Sequence, residues 1–292
     1  MPSPSLPTFK LGLIGYPLSH SLSPQIHNAA LRSCNLKGDY ALFPIQPEDK
    51  QALKDLLNRV RSGEIHGLNV TIPHKQNVMP FLDNLTPTAE SIGAVNTIYL
   101  RNDKLIGDNT DTPGFLADVK LLIDSSVFSF QPSSLVLGAG GSARAVIYAL
   151  LNDGWDVTIA ARRREQAKQL SDWFTNYQLQ TTDFTLSNFE LSNIALIVNT
   201  TPLGMAPDID RSPWPASLPF PENAAIYDLV YNPHVTKLVR DAHTQGLKAT
   251  TGLGMLIEQA ALAFEIWTSQ PPSREIMRAS LEQFLTTDYR VS

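Results

Sequence analysis

Residues 135–144 read Leu-Val-Leu-Gly-Ala-Gly-Gly-Ser-Ala-Arg, an apolar run that stops at clustered glycines and resumes as a helical pattern. A strand, a glycine turn and a helix start are the parts of a βαβ unit in which the backbone can approach a pyrophosphate. The helix N-terminus there offers unpaired N–H groups and a positive dipole end. The spacing is GxGGxA, and a glycine cluster at such a junction also serves simply as a tight turn. The downstream rhythm favours the phosphate reading. A helix runs to about 152, a strand covers 157–161 and a helix reaches about 174. Strands follow near 181, over 194–199 and over 225–230. Regular βαβ alternation implies a parallel sheet with helices on both faces. Gly138, Ala139, Gly140, Gly141 and Ser142 are therefore the candidate phosphate turn. Glycine is 16 of 292 residues, under the usual ~7%, so where it clusters is informative.

In a dinucleotide fold an acidic residue about 20 positions on grips the ribose of NAD. Here the second strand ends Ala160-Ala161-Arg162-Arg163-Arg164, and Asp156 lies at its opposite end. Guanidinium groups pair with phosphate through charge-assisted hydrogen bonds, which favours NADP(H) over NAD(H). The alternative is a solvated helix start. Three cations there oppose the helix dipole, however, so the cluster calls for an anionic partner.

A chain of 292 residues suggests two domains at about 150 residues each. The first ~110 residues show their own alternation: a strand over 11–14, the loop YPLSHSLSP, and a helix over 24–33. Next come a strand over 40–45, a helix over 48–61 with Leu53, Leu56, Leu57 and Val60 on one face, and the strand GLNVTIP stopped by Pro73. Short strands over 97–100 and 105–106 flank a polar turn and lead into Gly107-Asp108-Asn109-Thr110-Asp111, a plausible crossing between domains. Residues 202–221 hold six of the 21 prolines and read as an irregular surface loop. A long helix from Met255 to about Trp267 follows Gly252-Leu253-Gly254.

Several polar residues of the first half stand out. Ser21 and Ser23 point the same way if their segment is extended, and with a helix start they make a neutral carboxylate site. Ser23 is equally an N-cap with Pro24 at the first helical position. Alternation in Asn69-Val70-Thr71-Ile72-Pro73-His74-Lys75 puts Asn69 and Thr71 on one face, with Lys75 following at the strand's carboxyl end, where ligands of open α/β sheets lie. Asn96 and Asp111 are further candidates, although each alone suits a turn.

Charge and composition exclude other classes. With 23 basic and 28 acidic residues the net charge is −5, and no basic excess is available for nucleic acid. No run of 18 apolar residues suggests a membrane span. The single cysteine, Cys34, forms no intrachain disulfide and points to a reducing compartment, the cytoplasm. The six histidines show no metal-ligand spacing, so no metal is expected, and no GxSxG elbow occurs.

Taken together, HSLSP, NVTIPHK, GAVNT, GDNTD, GAGGSAR, the basic run and GLGMLIEQAA resemble, in order and spacing, the shikimate dehydrogenase family over nearly the whole chain. The resemblance implies a Rossmann-type doubly wound parallel sheet for NADP(H), over residues 113–251. That domain is inserted into a discontinuous α/β substrate-binding domain made of 1–112 and 252–292. It implies reversible hydride transfer between NADPH and 3-dehydroshikimate in aromatic amino-acid biosynthesis. Carried over, Ser21 and Ser23 are the carboxylate binders, and Thr71, Asn96 and Gln259 partner the ring hydroxyls. Lys75 and Asp111 are the catalytic pair, and Tyr231 lies near the substrate. Gly138 to Ser142 and Arg162 to Arg164 hold the cofactor's phosphates, while Leu229 and Gly252 lie by its nicotinamide.

Three positions depart from the family pattern. The usual Asn-Arg-Thr reads Ala161-Arg162-Arg163, losing an amide and a hydroxyl while gaining charge, and Tyr16 stands where a smaller polar residue is common. A quinate/shikimate dehydrogenase that also accepts NAD, and a non-catalytic NADPH sensor, are the alternative readings. Partners beyond the small-molecule substrate are not implied, other than a second copy of the chain: monomer and homodimer both fit.

Overall fold

The structure, a computed structural model, describes residues 8–123, 131–177, 179–186 and 190–287. Its contacts divide the chain into two units, one of residues 1–110 with 257–292 and one of residues 111–256.

The first unit begins with β1 (Thr8–Gly15), α1 (Ser23–Ser33), β2 (Lys37–Pro44), α2 (Lys50–Arg61) and β3 (Gly67–Val70). It continues through α3 (His74–Asn77), a 3-10 turn (Met79–Phe81), β4 (Asn84–Leu85), α4 (Pro87–Ile92), β5 (Thr97–Arg101) and β6 (Lys104–Asp108). The six strands lie in the order β2-β1-β3-β5-β6-β4. β1 pairs in parallel with β2 and β3, whereas β5 runs antiparallel to both β3 and β6. The reversal is made by the hairpin between β5 and β6. Asn102 and Asp103 at its tip have φ of 51° and 59°, the left-handed pair that a two-residue type I′ turn requires and that short polar side chains tolerate.

Helix α2 buries the expected Leu53, Leu56, Leu57 and Val60. It starts at Lys50 rather than 48, because Asp49 is its N-cap and accepts from Ala52 N at 2.9 Å. The strand expected over GLNVTIP ends at Val70. Thr71 N still bonds Ile14 O at 2.8 Å, but His74 N then closes a turn onto Thr71 O at 2.9 Å. Pro73, which lacks an N–H, cannot extend the ladder. Lys75 therefore stands on the short helix α3 and not on a strand end.

The second unit comprises α5 (Asp111–Leu122), β7 (Ser133–Leu137), α6 (Gly141–Asn152), β8 (Asp156–Ala160), α7 (Arg164–Trp173) and β9 (Gln180–Thr182). Then come β10 (Ile194–Asn199), β11 (Ala225–Asp228), α8 (Lys237–Thr244) and β12 (Ala249–Thr251). Its strand order is β12-β11-β10-β7-β8-β9, with every pairing parallel. Strand order reverses beside β7, so the glycine turn leaving β7 stands at the topological switch point. Period-2 alternation feeds two cores. Val136, Ile159, Val198 and Tyr227 join the layer containing α5 and α6 residues, while Leu135, Leu137, Ile197 and Ile226 join the layer with Leu238 of α8. The proline-rich stretch 202–221 is more than a surface loop. Trp214 and Phe220 stack with ring centroids 4.8 Å apart and help cover the second face. Trp214 keeps its indole N–H satisfied by Leu218 O at 2.8 Å.

The chain leaves this unit through α9 (Leu253–Thr268) and ends in α10 (Arg274–Thr287). At the start of α9, Asp118 Oδ2 accepts from the Tyr227 hydroxyl and from Met255 N at 3.0 Å. A Cβ on Gly254 would collide with that carboxylate, which explains a glycine in a helical first turn. Further along, in the first unit, Trp267 Nε1 donates to Ile98 O at 3.1 Å. Its ring occupies the space a Cβ of Gly67 would need. Among the described residues no helix is long and apolar enough to cross a membrane.

Candidate active site

In the first unit the polar residues converge on Asn96, which follows α4 and is 2% exposed. Its Oδ1 accepts from Thr110 N at 2.8 Å and Thr97 Oγ1 at 2.9 Å. Its Nδ2 donates to Thr110 Oγ1 at 3.0 Å and to Gln259 Oε1 at 3.3 Å. Gln259 arrives from α9, 163 positions later. The left-handed C-cap Gly93 ends α4 and turns the chain toward this cluster.

Asn69 of β3 joins the cluster through its side chain. Asn69 Nδ2 donates to Asn96 O at 3.2 Å, and its Oδ1 accepts from the Tyr40 hydroxyl at 2.8 Å. The Ser23 hydroxyl lies against the same phenol. Ser23 proves to be the first helical residue of α1 and not its N-cap. That place falls to Leu22, no side chain caps the helix, and Ser23 N donates to Ser21 Oγ at 3.3 Å. Both serines thus sit at a helix start whose N-cap residue, Leu22, offers no side-chain acceptor. Thr71 is half-buried at the end of β3, and Lys75 on α3 is 8% exposed, with Lys75 O accepting from Val95 N at 2.8 Å. The neighbouring His74 is held by Ile45 O at 2.7 Å. Tyr40, Thr97 and Thr110 are members of this cluster that motif reasoning did not select, and Asn69 stands out there only for sharing a face with Thr71.

Two buried aromatic groups support these elements. His27 of α1 stacks flat on Tyr40, with centroids 4.2 Å apart and planes 2° apart. Burial pushes its imidazole down to about 3, with the Asn69 side chain opposing part of that fall. Burial likewise holds the Tyr40 phenol well above its usual range.

In the second unit a cavity of about 460 Å³ opens at the carboxyl ends of the strands. Gly138, Ala139 and Gly140 form its floor, and Ala161, Arg162, Arg163 and Gln166 form one side. Phe184 and the stretch Thr200 to Leu203 complete it. Gly138 has φ +114°, and a Cβ there would press on Thr200 Oγ1. Gly140 is the N-cap of α6, with no side-chain cap, and a Cβ on it would meet nothing within 4 Å. That open space above an uncapped helix start beginning at Gly141 and Ser142 fits a pyrophosphate, and the two guanidinium groups fit a further phosphate.

Arg164 is oriented differently. It pairs with Asp183 at 3.0 Å and does not line the cavity. Asp111, 5% exposed, opens α5. Leu229 follows β11 and is bonded to Asn199 O at 2.9 Å, and Gly252 lies so close to Leu229 O that a Cβ would be excluded. Tyr231 is two residues beyond Leu229, its phenol pushed up by burial.

A doubly wound parallel sheet with an uncapped glycine turn and paired arginines over one cavity defines a dehydrogenase that takes a phosphorylated nicotinamide dinucleotide. Comparison with known proteins narrows the class. The profile of the shikimate dehydrogenase substrate binding domain matches residues 13–98, and that of the shikimate 5'-dehydrogenase C-terminal domain matches 252–282. The shikimate dehydrogenase (NADP(+)) of Salinibacter ruber is 42% identical over 265 residues, covering 88% of this chain and 91% of that protein. The crystal structure of Thermus thermophilus shikimate 5-dehydrogenase in complex with NADP(H) and shikimate is 37% identical, covers 94% of this chain and 99% of that one, and superposes with a TM-score of 0.81. Quinate dehydrogenase from Corynebacterium glutamicum, in complex with NAD, is 29% identical with a TM-score of 0.84, covering 94% and 99%. The chain belongs to the shikimate dehydrogenase family.

Proposed function

We propose that this chain catalyses reversible hydride transfer between NADPH and the ring ketone of 3-dehydroshikimate, giving shikimate, a step toward the aromatic amino acids. The observation that carries the reading is the convergence of Asn96 with Gln259 across 163 positions. Together with Asn69 and Thr97 it makes a buried set of amides and hydroxyls, in the unit that also carries Ser21, Ser23, Thr71 and Lys75. Such a set suits a small ring bearing several hydroxyls and a carboxylate. Residues 1–112 with 252–292 are assigned to substrate and 113–251 to NADP(H), which the cavity over Gly140 and the Arg162 and Arg163 wall support.

Bound NADPH supplies the hydride. As it reaches the ketone carbon, negative charge develops on the oxygen, which must be stabilised and protonated. Lys75 is assigned both tasks, its Nζ donating a hydrogen bond to the oxygen and then giving it the proton. Asp111 positions the lysine and accepts a hydrogen bond from a substrate hydroxyl. Ser21 and Ser23, at the start of α1, take the carboxylate through hydroxyls and backbone N–H groups. Thr71, Asn96 and Gln259 fix the ring hydroxyls, and Tyr231 is assigned a place near the substrate. Gly138 to Ser142 take the pyrophosphate and Arg162 and Arg163 the 2′-phosphate end, while Arg164 is held away by Asp183. Leu229 and Gly252 border the nicotinamide. A cytoplasmic monomer or homodimer is consistent with a single cysteine at position 34.

The quinate dehydrogenase resemblance supports a second reading, in which quinate and NAD are also used. Purified protein given shikimate or quinate, each with NADP or NAD, separates the readings by nicotinamide absorbance. The first predicts the highest kcat/KM for shikimate with NADP, and the second comparable rates with quinate or NAD. Cofactor binding without any absorbance change would point to a sensor.

A further inference from the structure

The last residues of β10 and β11 are register partners, Asn199 opposite Asp228. Both side chains are fully buried. Asn199 Nδ2 donates to Asp228 Oδ1 at 2.8 Å. Each residue also holds the loop that leaves its strand. Asn199 Oδ1 accepts from Thr201 N at 2.9 Å and Thr201 Oγ1 at 2.7 Å. Asp228 accepts from Val230 N at 3.0 Å and, through Oδ2, from Thr236 Oγ1 at 2.6 Å. The loop after β10 supplies the wall of the cavity from Thr200 to Leu203. The loop after β11 carries Leu229 and Tyr231.

A buried carboxylate is costly unless its charge is hydrogen-bonded. Asp228 has only neutral donors, and burial raises its acid to about 6 against the pull of Thr236, Val230 and Asn199. It ties two loops together where each lacks a regular ladder. Loops at a ligand site bind more tightly when they are held in the bound arrangement beforehand.

We propose that Asp228 is a positioning residue for the nicotinamide cofactor: through Asn199 to Thr201, and through Val230 and Thr236, it holds in one arrangement the loop that lines the cavity and the loop that carries Leu229, the residue assigned to the nicotinamide. Asp228 is itself fully buried and is not among the residues lining the cavity. The inference rests on the reading that this cavity takes NADP(H).

The test uses the full chain and binding rather than turnover. The Kd for NADP+ and, separately, for shikimate are measured by calorimetry on the parent, Asp228→Asn and the swap Asn199→Asp/Asp228→Asn. The parent must bind NADP+; if it does not, the cofactor reading itself fails before any variant is compared. Asp228→Asn is expected to raise the NADP+ Kd about tenfold, the scale of a hydrogen bond to a charged group, with the shikimate Kd within twofold. The swap, which restores an amide–carboxylate pair in reverse but puts an –NH2 where Asp228 Oδ1 accepted from Val230 N, is expected to recover part of the loss. An unchanged NADP+ Kd in Asp228→Asn, or an equal rise in both constants, overturns the proposal. Should Asp228→Asn fail to fold, Thr236→Val against Thr236→Ser decides. Weaker NADP+ binding in the first and parental binding in the second support the proposal, and equal binding in the two overturns it.

Discussion

Tyr40 donates its phenolic hydrogen to Asn69 Oδ1 at 2.8 Å, joining β2 to β3 across 29 positions of sequence. One hydroxyl thereby fixes the amide that supports Asn96 and stands against Ser23. Tyr40→Phe keeps the ring stacked on His27 and removes this link together with the hydroxyl's contact to Ser23. Leaving Asn69 Oδ1 without its donor costs about 1–2 kcal/mol of stability. Denaturant unfolding should show that loss. Initial rates should show KM for shikimate rising several-fold with KM for NADP+ unchanged. A variant with parental KM would mean that Asn69 is held adequately by its donations to Asn96 and Thr97.

The three arginines after β8 should not behave alike. Arg162 and Arg163 line the cavity, whereas Arg164 is paired with Asp183. Losing one charge-assisted phosphate contact weakens binding by about 1.5–3 kcal/mol, tenfold or more. Arg162→Ala and Arg163→Ala are therefore expected to raise the NADP+ Kd by that factor and to narrow the preference over NAD+. Arg164→Ala should change it by less than threefold, because exposed ion pairs contribute little. Titration of each variant with both cofactors checks the order.

Acid should destabilise the first unit through His27. Its buried imidazole is pushed down to about 3 from 6.5, so below 6.5 the unfolded chain binds a proton that the folded chain refuses. Stability carries no penalty above 6.5, falls by about 1.4 kcal/mol per pH unit as pH drops toward 3, and levels off below that. Asp228 acts oppositely. Its acid is raised to about 6 from 3.8, so the folded state holds the extra proton and is favoured as pH falls through that window. The His27 contribution is best read as the difference between the parent and His27→Phe, which keeps an aromatic ring on Tyr40. Between pH 6.5 and 4 the parent's unfolding free energy should decline more steeply than that of the variant. Parallel curves would show that His27 is charged in the folded state.

What was legible in the sequence depended on how local each signal is. The glycine turn was readable because strand, turn and helix are contiguous. The turn's geometry follows from Gly138, whose φ of +114° lies in the left-handed region that suits glycine. The Arg162 and Arg163 wall was readable because it follows a strand end at a fixed offset. The end of β3 was misplaced by three residues, since Thr71 and Ile72 have strand-like side chains and only the turn closed by His74 N shows where the ladder stops. Tyr40 and Asp228 stood out in no pattern, and Asn69, although within NVTIPHK and on one face with Thr71, had no role legible there. Their partners lie on neighbouring strands, and strand order, not sequence spacing, brings Asn199 to Asp228. The covering role of Trp214 and Phe220 was hidden by the six prolines around them, which signal irregular backbone but not burial.

In the proposed reaction Lys75 gives the proton during hydride transfer. Stopped-flow reduction of 3-dehydroshikimate by NADPH in Lys75→Ala, with shikimate Kd measured alongside by calorimetry, tests it most directly. The expected result is a hydride-transfer rate reduced by at least 10²-fold, the usual scale for losing a general acid, with shikimate Kd within a few-fold of the parent. A near-parental rate with intact binding would contradict the account and remove Lys75 from the mechanism.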